Sequence, residues 1–143
     1  IETAAALDRK GQIIFYGPPG TGKTYHARRM AVWLLLREEG RKDSEIASVL
    51  DDHTQFIATE NRLAEGNLLT RVTFHPSYSY EDFIEGFRPV MNTGSDGLQL
   101  KLEDGVLKRI CQIATKNQSK RHILLIDEIN RANISKVMGE LFT

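Results

Sequence analysis

The sequence predicts an α/β fold in which a mostly parallel sheet is flanked by helices. Three short runs rich in β-branched and aromatic residues, residues 12–16, 69–74 and 122–126, are typical of buried strands. Apolar residues at helical spacing occupy the segments between these runs, and strands that alternate with helices are typical of parallel sheets. The length of 143 residues is that of one domain of roughly 100–200 residues.

The first half of the chain is predicted to be mainly helical around its first strand. Residues 2–9 form a short helix, and the strand Gln12–Tyr16 lies between glycines. A second helix follows the glycine-rich loop, with an apolar face made of Ala27, Met30, Ala31, Leu34 and Leu35. The charged residues 37–45 predict a solvated connection. A further helix is predicted from the spacing of Ile46, Val49, Leu50, His53 and Ile57.

The second half alternates turns, strands and helices. Ser79 with Asp82 three residues later is the capping-box pattern that opens a short helix. Turn residues Asn92–Gly97 between two apolar runs predict a hairpin over residues 87–102. The next helix has an apolar face made of Val106, Ile110, Ile113 and Ala114. After the third strand, a last helical face contains Ile134, Val137, Met138, Leu141 and Phe142.

Composition and charge argue against several classes of protein. Lys and Arg number 19, as do Asp and Glu, which argues against a chain-wide basic surface for nucleic acid. The longest apolar stretch, Met30–Leu36, is too short to span a bilayer, so no membrane partner is expected. The single cysteine, Cys111, cannot form an internal disulfide, which fits a cytoplasmic location.

A glycine-rich loop, Gly17–Thr24, matches the pattern G-x-x-x-x-G-K-[ST] at every fixed position. Backbone N–H groups surround a triphosphate only where no Cβ intrudes, and the helix that follows points its N-terminus at the phosphates. Lys23 is predicted to reach the β- and γ-phosphates in binding and catalysis, and Thr24 to place its hydroxyl on Mg²⁺. The predicted nucleotide-binding residues are Gly17, Pro18, Pro19, Gly20, Thr21, Gly22, Lys23, Thr24 and Tyr25.

Two carboxylates directly follow the strand His122–Ile126. Ligands of an open α/β sheet lie beyond the carboxyl ends of its strands, where both the glycine-rich loop and these carboxylates are found. Asp127 is predicted to hold the Mg²⁺ shell, and Glu128 to orient and deprotonate an attacking water. Alone, the pattern is also that of a strand followed by a polar turn; downstream of the loop, it favours nucleotide hydrolysis.

The motifs GPPGTGKT and ILLIDE resemble those of the AAA+ superfamily of ring-forming P-loop NTPases. Two further stretches, residues 73–89 and 126–141, closely resemble the GTPase subunit of McrBC-type 5-methylcytosine restriction systems. The resemblance covers the chain from Gly11 to Thr143, apart from residues near 37–66. A helical insert at about residues 41–66 makes that link longer than is usual in the family.

The resemblance implies a five-stranded sheet in the order 5-1-4-3-2 and assembly into hexameric rings. It identifies residues 17–24 as the Walker A motif, which binds GTP, and residues 122–128 as the Walker B motif, with Asp127 serving Mg²⁺ and Glu128 serving catalysis. Hydrolysis would drive DNA translocation with a partner endonuclease subunit, while DNA is contacted indirectly or by other domains. The choice of GTP over ATP comes from the resemblance alone.

Several polar residues near these motifs have two interpretations each. Asn130 and Arg131 either touch nucleotide or a neighbouring subunit, or lie on the surface. His75, Tyr78 and Tyr80 follow the second strand and either sense nucleotide or line a subunit contact, or their rings plug the edge of the sheet. The second role is the more ordinary one for half-buried aromatic rings.

Two other functions stay open at this point. One is a MoxR-like or other AAA+ ATPase that acts as a chaperone or remodeller, and the other is a nucleotide-binding scaffold without turnover. The resemblance also implies a core truncated after the Walker B strand and the helix that follows it. Residues 1–143 alone are therefore expected to self-associate and to be nearly inert as an NTPase, because a neighbouring strand and the arginine finger lie beyond Thr143.

Overall fold

The computed structural model describes residues 2–91 and 98–142. The helices are α1 Glu2–Lys10, α2 Lys23–Glu38, α3 Asp43–Asp51, α4 His53–Glu65, α5 Tyr80–Phe83, α6 Val106–Lys116 and α7 Ile134–Met138. The strands are β1 Leu69–Thr73, β2 Glu85–Met91, β3 Leu98–Asp104 and β4 Ile123–Asp127. Short 3₁₀ turns span Ile129–Arg131 and Gly139–Phe142. Two compact units result, residues 1–70 with 119–125 and residues 71–118 with 126–143.

The strands β1 and β4 form a two-stranded sheet. The amide of Ile123 donates to the carbonyl of Leu68 at 2.8 Å, and the amide of Phe74 donates to the carbonyl of Asp127 at 2.9 Å. The residue numbers of both strands increase from the first of these bonds to the second, so the two strands are parallel. The predicted α/β class, with parallel strands flanked by helices, is confirmed.

The core of the first unit lies between α2 and the two helices that follow it. An apolar stripe on α2 is buried, and α2 ends where Gly40, at φ +80°, lets the amide of Arg41 donate to the carbonyl of Leu36 at 3.1 Å. Burial of apolar side chains stabilises this packing by about 1.5–3 kcal/mol for each large residue. The buried core consists of Ala31, Val32, Leu35, Leu36, Ile46, Phe56, Leu63, Leu69 and Leu125.

The segment between α2 and β1 differs in detail from the expectation. The predicted charged connection at residues 37–45 is shorter, because α2 continues to Glu38 and α3 begins at Asp43. The single predicted helix is two helices, since Asp52 adopts an extended conformation between α3 and α4. The Asp52 carboxylate accepts a hydrogen bond from the amide of Gln55 at 2.9 Å and so starts α4. This capping bond also lowers the pKa of Asp52.

The predicted strand Gln12–Tyr16 is wrong for the structure described. This run has no regular secondary structure, and the side chains of Ile14 and Tyr16 are 73% and 92% exposed. A strand exists only where a neighbour accepts and donates its backbone hydrogen bonds, and no described strand pairs with this run. In the sheet order that the resemblance implies, its neighbours are the fourth and fifth strands.

The second unit is built around aromatic rings and a hairpin. The rings of Phe74 and Tyr78 stack at 4.6 Å, and Phe83 packs edge-on against Phe74 at 5.5 Å. The strands β2 and β3 pair antiparallel, from Glu85 opposite Asp104 to Met91 opposite Leu98. They occupy the segment for which a hairpin is predicted; the predicted turn at residues 92–97 lies outside the described residues.

Two short helices of the second unit depend on specific local contacts. The predicted capping box that opens α5 is present, because the Asp82 carboxylate accepts from the backbone amide and the hydroxyl of Ser79 at 3.1 and 2.9 Å. The last predicted helix is broken after Met138, because Gly139 adopts φ +50°. A Cβ at Gly139 would lie 2.7 Å from the ring of Tyr80, so only glycine fits there.

Candidate functional site

The glycine-rich loop has a backbone conformation that depends on its glycines. Gly20 and Gly22 adopt φ +78° and +74°, in the left-handed region that costs other residues about 1–2 kcal/mol. Residues 17–22 are exposed throughout, and the helix α2 begins directly after them at Lys23. The backbone N–H and C=O groups of this loop are therefore open to solvent at the start of a 16-residue helix.

Two side chains close this loop on itself. The Lys23 ammonium donates to the carbonyls of Gly17 and Pro18 at 2.9 and 2.7 Å, and the Thr21 hydroxyl donates to the carbonyl of Pro18 at 2.9 Å. These bonds hold a positive charge against the start of the loop. The acceptors are neutral carbonyls, and a phosphate oxygen in their place would add the attraction between opposite charges.

The N-terminus of α2 carries no side-chain cap. Gly22 occupies the N-cap position and has no side chain to accept from the first amides of the helix. Helix N-termini have amides without an intrahelical partner and a positive dipole end, so together with the loop they favour a phosphate group. Thr24 is half-buried in this first turn, and Tyr25 is 54% exposed with the Arg29 guanidinium 5.2 Å from its ring centroid.

The acidic pair lies in the second unit, at the end of β4. The half-buried Asp127 is the last residue of the strand, and its carboxylate accepts a hydrogen bond from the amide of Glu128 at 3.0 Å. Glu128 is exposed and adopts φ +53°, which is uncommon for a residue with a side chain. Backbone strain of this kind is concentrated at functional sites, and no feature of the sequence signals it.

The residues after the acidic pair form a short turn, whereas Asp127 itself is hydrogen-bonded within the sheet. The amide of Arg131 donates to the carbonyl of Glu128 at 2.9 Å, which forms the 3₁₀ turn, and both Asn130 and Arg131 are exposed. Asp127 is tied to β1 through its carbonyl, which accepts from Phe74. The acids are therefore carried by the paired part of the sheet.

The aromatic residues after β1 differ among themselves. The Tyr78 ring stacks on Phe74 and meets His75 edge-on at 5.5 Å, while His75 itself is exposed. The Tyr78 hydroxyl is buried without a hydrogen-bond partner among the described residues, and burial raises the pKa of Tyr78. Packing of the Tyr78 ring at the end of β1 fits the interpretation that it plugs the edge of the sheet.

Neither a cluster of metal ligands nor a membrane-spanning helix is found among the described residues. Among residues 2–91 and 98–142, no group of three or more His, Cys, Asp and Glu side chains is arranged to hold a metal ion. Within the same ranges, none of the helices combines the length and hydropathy needed to cross a bilayer. In nucleotide sites, Mg²⁺ is bound by one or two carboxylates together with phosphate oxygens and water.

Comparison with known proteins defines the class of this chain. A family model described as an AAA domain matches residues 6–142, so the chain belongs to the AAA domain family, an α/β class of P-loop NTPases. This match agrees with the parallel strand pair and with the glycine-rich loop before α2.

Two relatives place the chain more closely. It is 39% identical over 135 residues to the Type IV methyl-directed restriction enzyme EcoKMcrB subunit of Escherichia coli (strain K12). The aligned region covers 94% of this chain and 22% of that protein. It is 28% identical over 149 residues to the Type II restriction enzyme BsuMI component YdiS of Bacillus subtilis (strain 168). This alignment covers 90% of this chain and 36% of that protein. The predicted resemblance to an McrB-type AAA+ domain is confirmed, and the chain spans well under half of each relative.

Proposed function

We propose that the chain is the nucleotide-hydrolysing motor domain of a DNA restriction system, with GTP or ATP as its substrate. The glycine-rich loop carries this proposal. Two left-handed glycines, an uncapped helix N-terminus and the Lys23 ammonium lie within eight consecutive residues, 17–24. This combination of donors and positive charge suits a phosphate chain.

Each part of the loop has a role in binding. The amides of the loop and of the first turn of α2 donate to phosphate oxygens. Lys23 exchanges the neutral carbonyls of Gly17 and Pro18 for charged phosphate oxygens, which strengthens its hydrogen bonds. The Thr24 hydroxyl and the Asp127 carboxylate serve Mg²⁺, which neutralises phosphate charge when it is bound.

The acidic pair supplies the chemistry in this proposal. The hydrogen bond from the Glu128 amide orients the Asp127 carboxylate. Glu128 is exposed and accepts a proton from the attacking water as a general base. Its left-handed backbone fixes where the side chain leaves the chain at the end of β4. Hydrolysis of the terminal phosphate is the expected reaction.

The biological setting is proposed from the relatives. Both are described as restriction enzymes or their components, and one is methyl-directed. By extension, this domain would act in the cytoplasm as a hexameric ring with a partner endonuclease subunit on DNA that carries modified cytosine. The equal numbers of acidic and basic residues support a proposal in which other domains recognise the DNA.

One experiment separates this proposal from a remodelling ATPase. The absence of a net positive charge is also compatible with that second function. The full-length protein is titrated with GTP and with ATP, in Mg²⁺ and in EDTA, and turnover is measured with and without cytosine-methylated DNA. We expect Mg²⁺-dependent hydrolysis with a preference for GTP. Preference for ATP and indifference to DNA would support the remodeller, and binding without turnover would support a scaffold.

An Asp127→Asn variant tests the metal part of the proposal in the same assay. The amide keeps the shape of the carboxylate but loses its charge, so more Mg²⁺ should be needed for half-maximal turnover. An unchanged Mg²⁺ requirement would remove Asp127 from the site.

A further inference from the structure

We infer that Glu60 is a positioning residue for the glycine-rich loop, acting through its ion pair with Arg28 at the start of α2. This inference rests on the proposed function of that loop. Arg28 lies five residues after Lys23, which is about 7.5 Å along the helix. Glu60 lies on α4, 32 residues further along the chain than Arg28.

The pair has the geometry of a fixed clamp. The Arg28 guanidinium donates to both carboxylate oxygens of Glu60, at 2.8 and 2.5 Å. Its central carbon also lies 5.3 Å from the centroid of the Phe56 ring. A two-pronged hydrogen bond to a planar carboxylate fixes orientation as well as distance, and the ring closes a further side. The pairing with Glu60 raises the pKa of Arg28.

Burial makes this pair informative. Glu60 is only 4% exposed and shares the buried face of α4 with Phe56 and Leu63. Taking charges out of water costs several kcal/mol per ion, and replacing both partners of such a pair with apolar residues is often neutral, so a buried pair is weak evidence for stability. Apolar contacts between helices have little directionality, whereas a clamp of this kind fixes one register. The pair therefore fixes how α2 sits on α4.

A second contact holds the same turn of α2 from the neighbouring helix. The Arg29 guanidinium donates to the carbonyl of Leu50 and to the Asp51 carboxylate, the latter at 3.1 Å. Both acceptors lie at the end of α3. Two adjacent arginines thus tie the first turns of α2 to α3 and to α4, close to the loop that α2 continues.

The consequence concerns the precision of the phosphate site. The loop is exposed and continues directly into α2, so the position of that helix sets the position of the first-turn amides and of Lys23. Binding constellations need to be held within about 0.5 Å. Loss of the clamp is therefore expected to weaken nucleotide binding, even though Glu60 has no contact with nucleotide in this proposal.

The chain contains a matched control pair. The Arg62 guanidinium donates to both carboxylate oxygens of Glu39, at 2.7 and 2.9 Å, and this pair joins α4 to the residue directly after α2. It lies at the other end of α2, sixteen residues after Lys23, and is more exposed. A general effect of breaking an ion pair to α4 would appear at both places, and a positioning effect only at Glu60.

The test compares Glu60→Gln with Glu39→Gln in the full-length protein. GTP and ATP affinities are measured in Mg²⁺ by calorimetry, and the unfolding midpoint is measured for each variant. We expect Glu60→Gln to weaken nucleotide binding by about fivefold or more, in the range of remote couplings, and Glu39→Gln to leave it unchanged. Arg28→Gln should cause the same loss, and the double variant no further loss.

The outcomes distinguish the two levels of the proposal. Wild-type protein that binds neither nucleotide would contradict the proposed function and this inference together. Wild-type binding that is unchanged in Glu60→Gln, or weakened equally by Glu39→Gln, would contradict the positioning role alone. If Glu60→Gln does not fold, Arg28→Lys replaces it, because lysine keeps the charge but loses the two-pronged contact. An unaltered affinity in Arg28→Lys would then overturn the inference.

Discussion

Two apolar runs of similar composition behave differently in this molecule. Gln12–Tyr16 precedes the glycine-rich loop, and Ile123–Asp127 ends on the first residue of the acidic pair. The second run is the strand β4, paired with β1, and Leu125 within it is buried. The first run forms no strand, and Ile14 within it is largely exposed. Composition favours a strand in both places, and only the presence of a paired neighbour separates them.

The difference between the two runs shows which part of the site depends on strand pairing and which part is determined by nearby residues. The acidic pair depends on β4, because Asp127 is tied to β1 through its backbone. The glycine-rich loop keeps two left-handed glycines and the Lys23 contacts although the run before it is unpaired. Its geometry is thus set by its own residues and by α2, which the clamps on Arg28 and Arg29 hold in place.

The largest expected effect is on the chemistry at the end of the paired strand. In the full-length protein, Glu128→Gln should keep nucleotide affinity and lower the rate of hydrolysis by about 10²–10⁴, because an amide is a far poorer base than a carboxylate. Single-turnover hydrolysis of GTP and of ATP measures this rate. Glu65→Gln, which changes an exposed carboxylate at the end of α4, is the control. Wild-type turnover in Glu128→Gln would remove Glu128 from the role of base.

The next effect compares the two runs directly through stability. Leu125→Ala in the paired run should lower the free energy of unfolding by about 2–5 kcal/mol, as buried leucines do. Ile14→Ala in the unpaired run should change it by no more than about 0.5 kcal/mol, because this side chain is 73% exposed. Denaturant unfolding of residues 1–143, in which no described strand pairs with Gln12–Tyr16, measures both. Equal losses would mean that residues 12–16 are packed as a strand, and the comparison would fail.

Much of the fold was predictable because its signals are local. The capping box at Ser79, the helix after Lys23 and the strand that ends at Asp127 all follow from residue type and spacing. The failures involve information from elsewhere in the fold. Gln12–Tyr16 needs a partner strand, and Gly139 breaks the last helix where Tyr80 approaches it. A local stretch of sequence reveals neither which strand will pair with it nor which distant side chain will pack against it.

The candidate site follows the same division. The loop and the acidic pair stand out as motifs, whereas the left-handed backbone of Glu128 and the clamp on Arg28 do not. One signal for the clamp does exist in the sequence, because Glu60 lies at helical spacing between Phe56 and Leu63. A charged residue on an apolar helix face requires a partner, and only the fold identifies that partner as Arg28.

The most direct test of the account is nucleotide binding at the glycine-rich loop. Calorimetric titration of the full-length protein with GTP and ATP in Mg²⁺ compares wild type with Lys23→Ala, and with Lys101→Ala as an exposed lysine on the hairpin. We predict that Lys23→Ala weakens binding at least about tenfold, or about 1.4 kcal/mol, because it removes a charge-assisted contact to phosphate, and that Lys101→Ala has no effect. Equal affinity in wild type and in folded Lys23→Ala would contradict the central claim that this loop binds the phosphates.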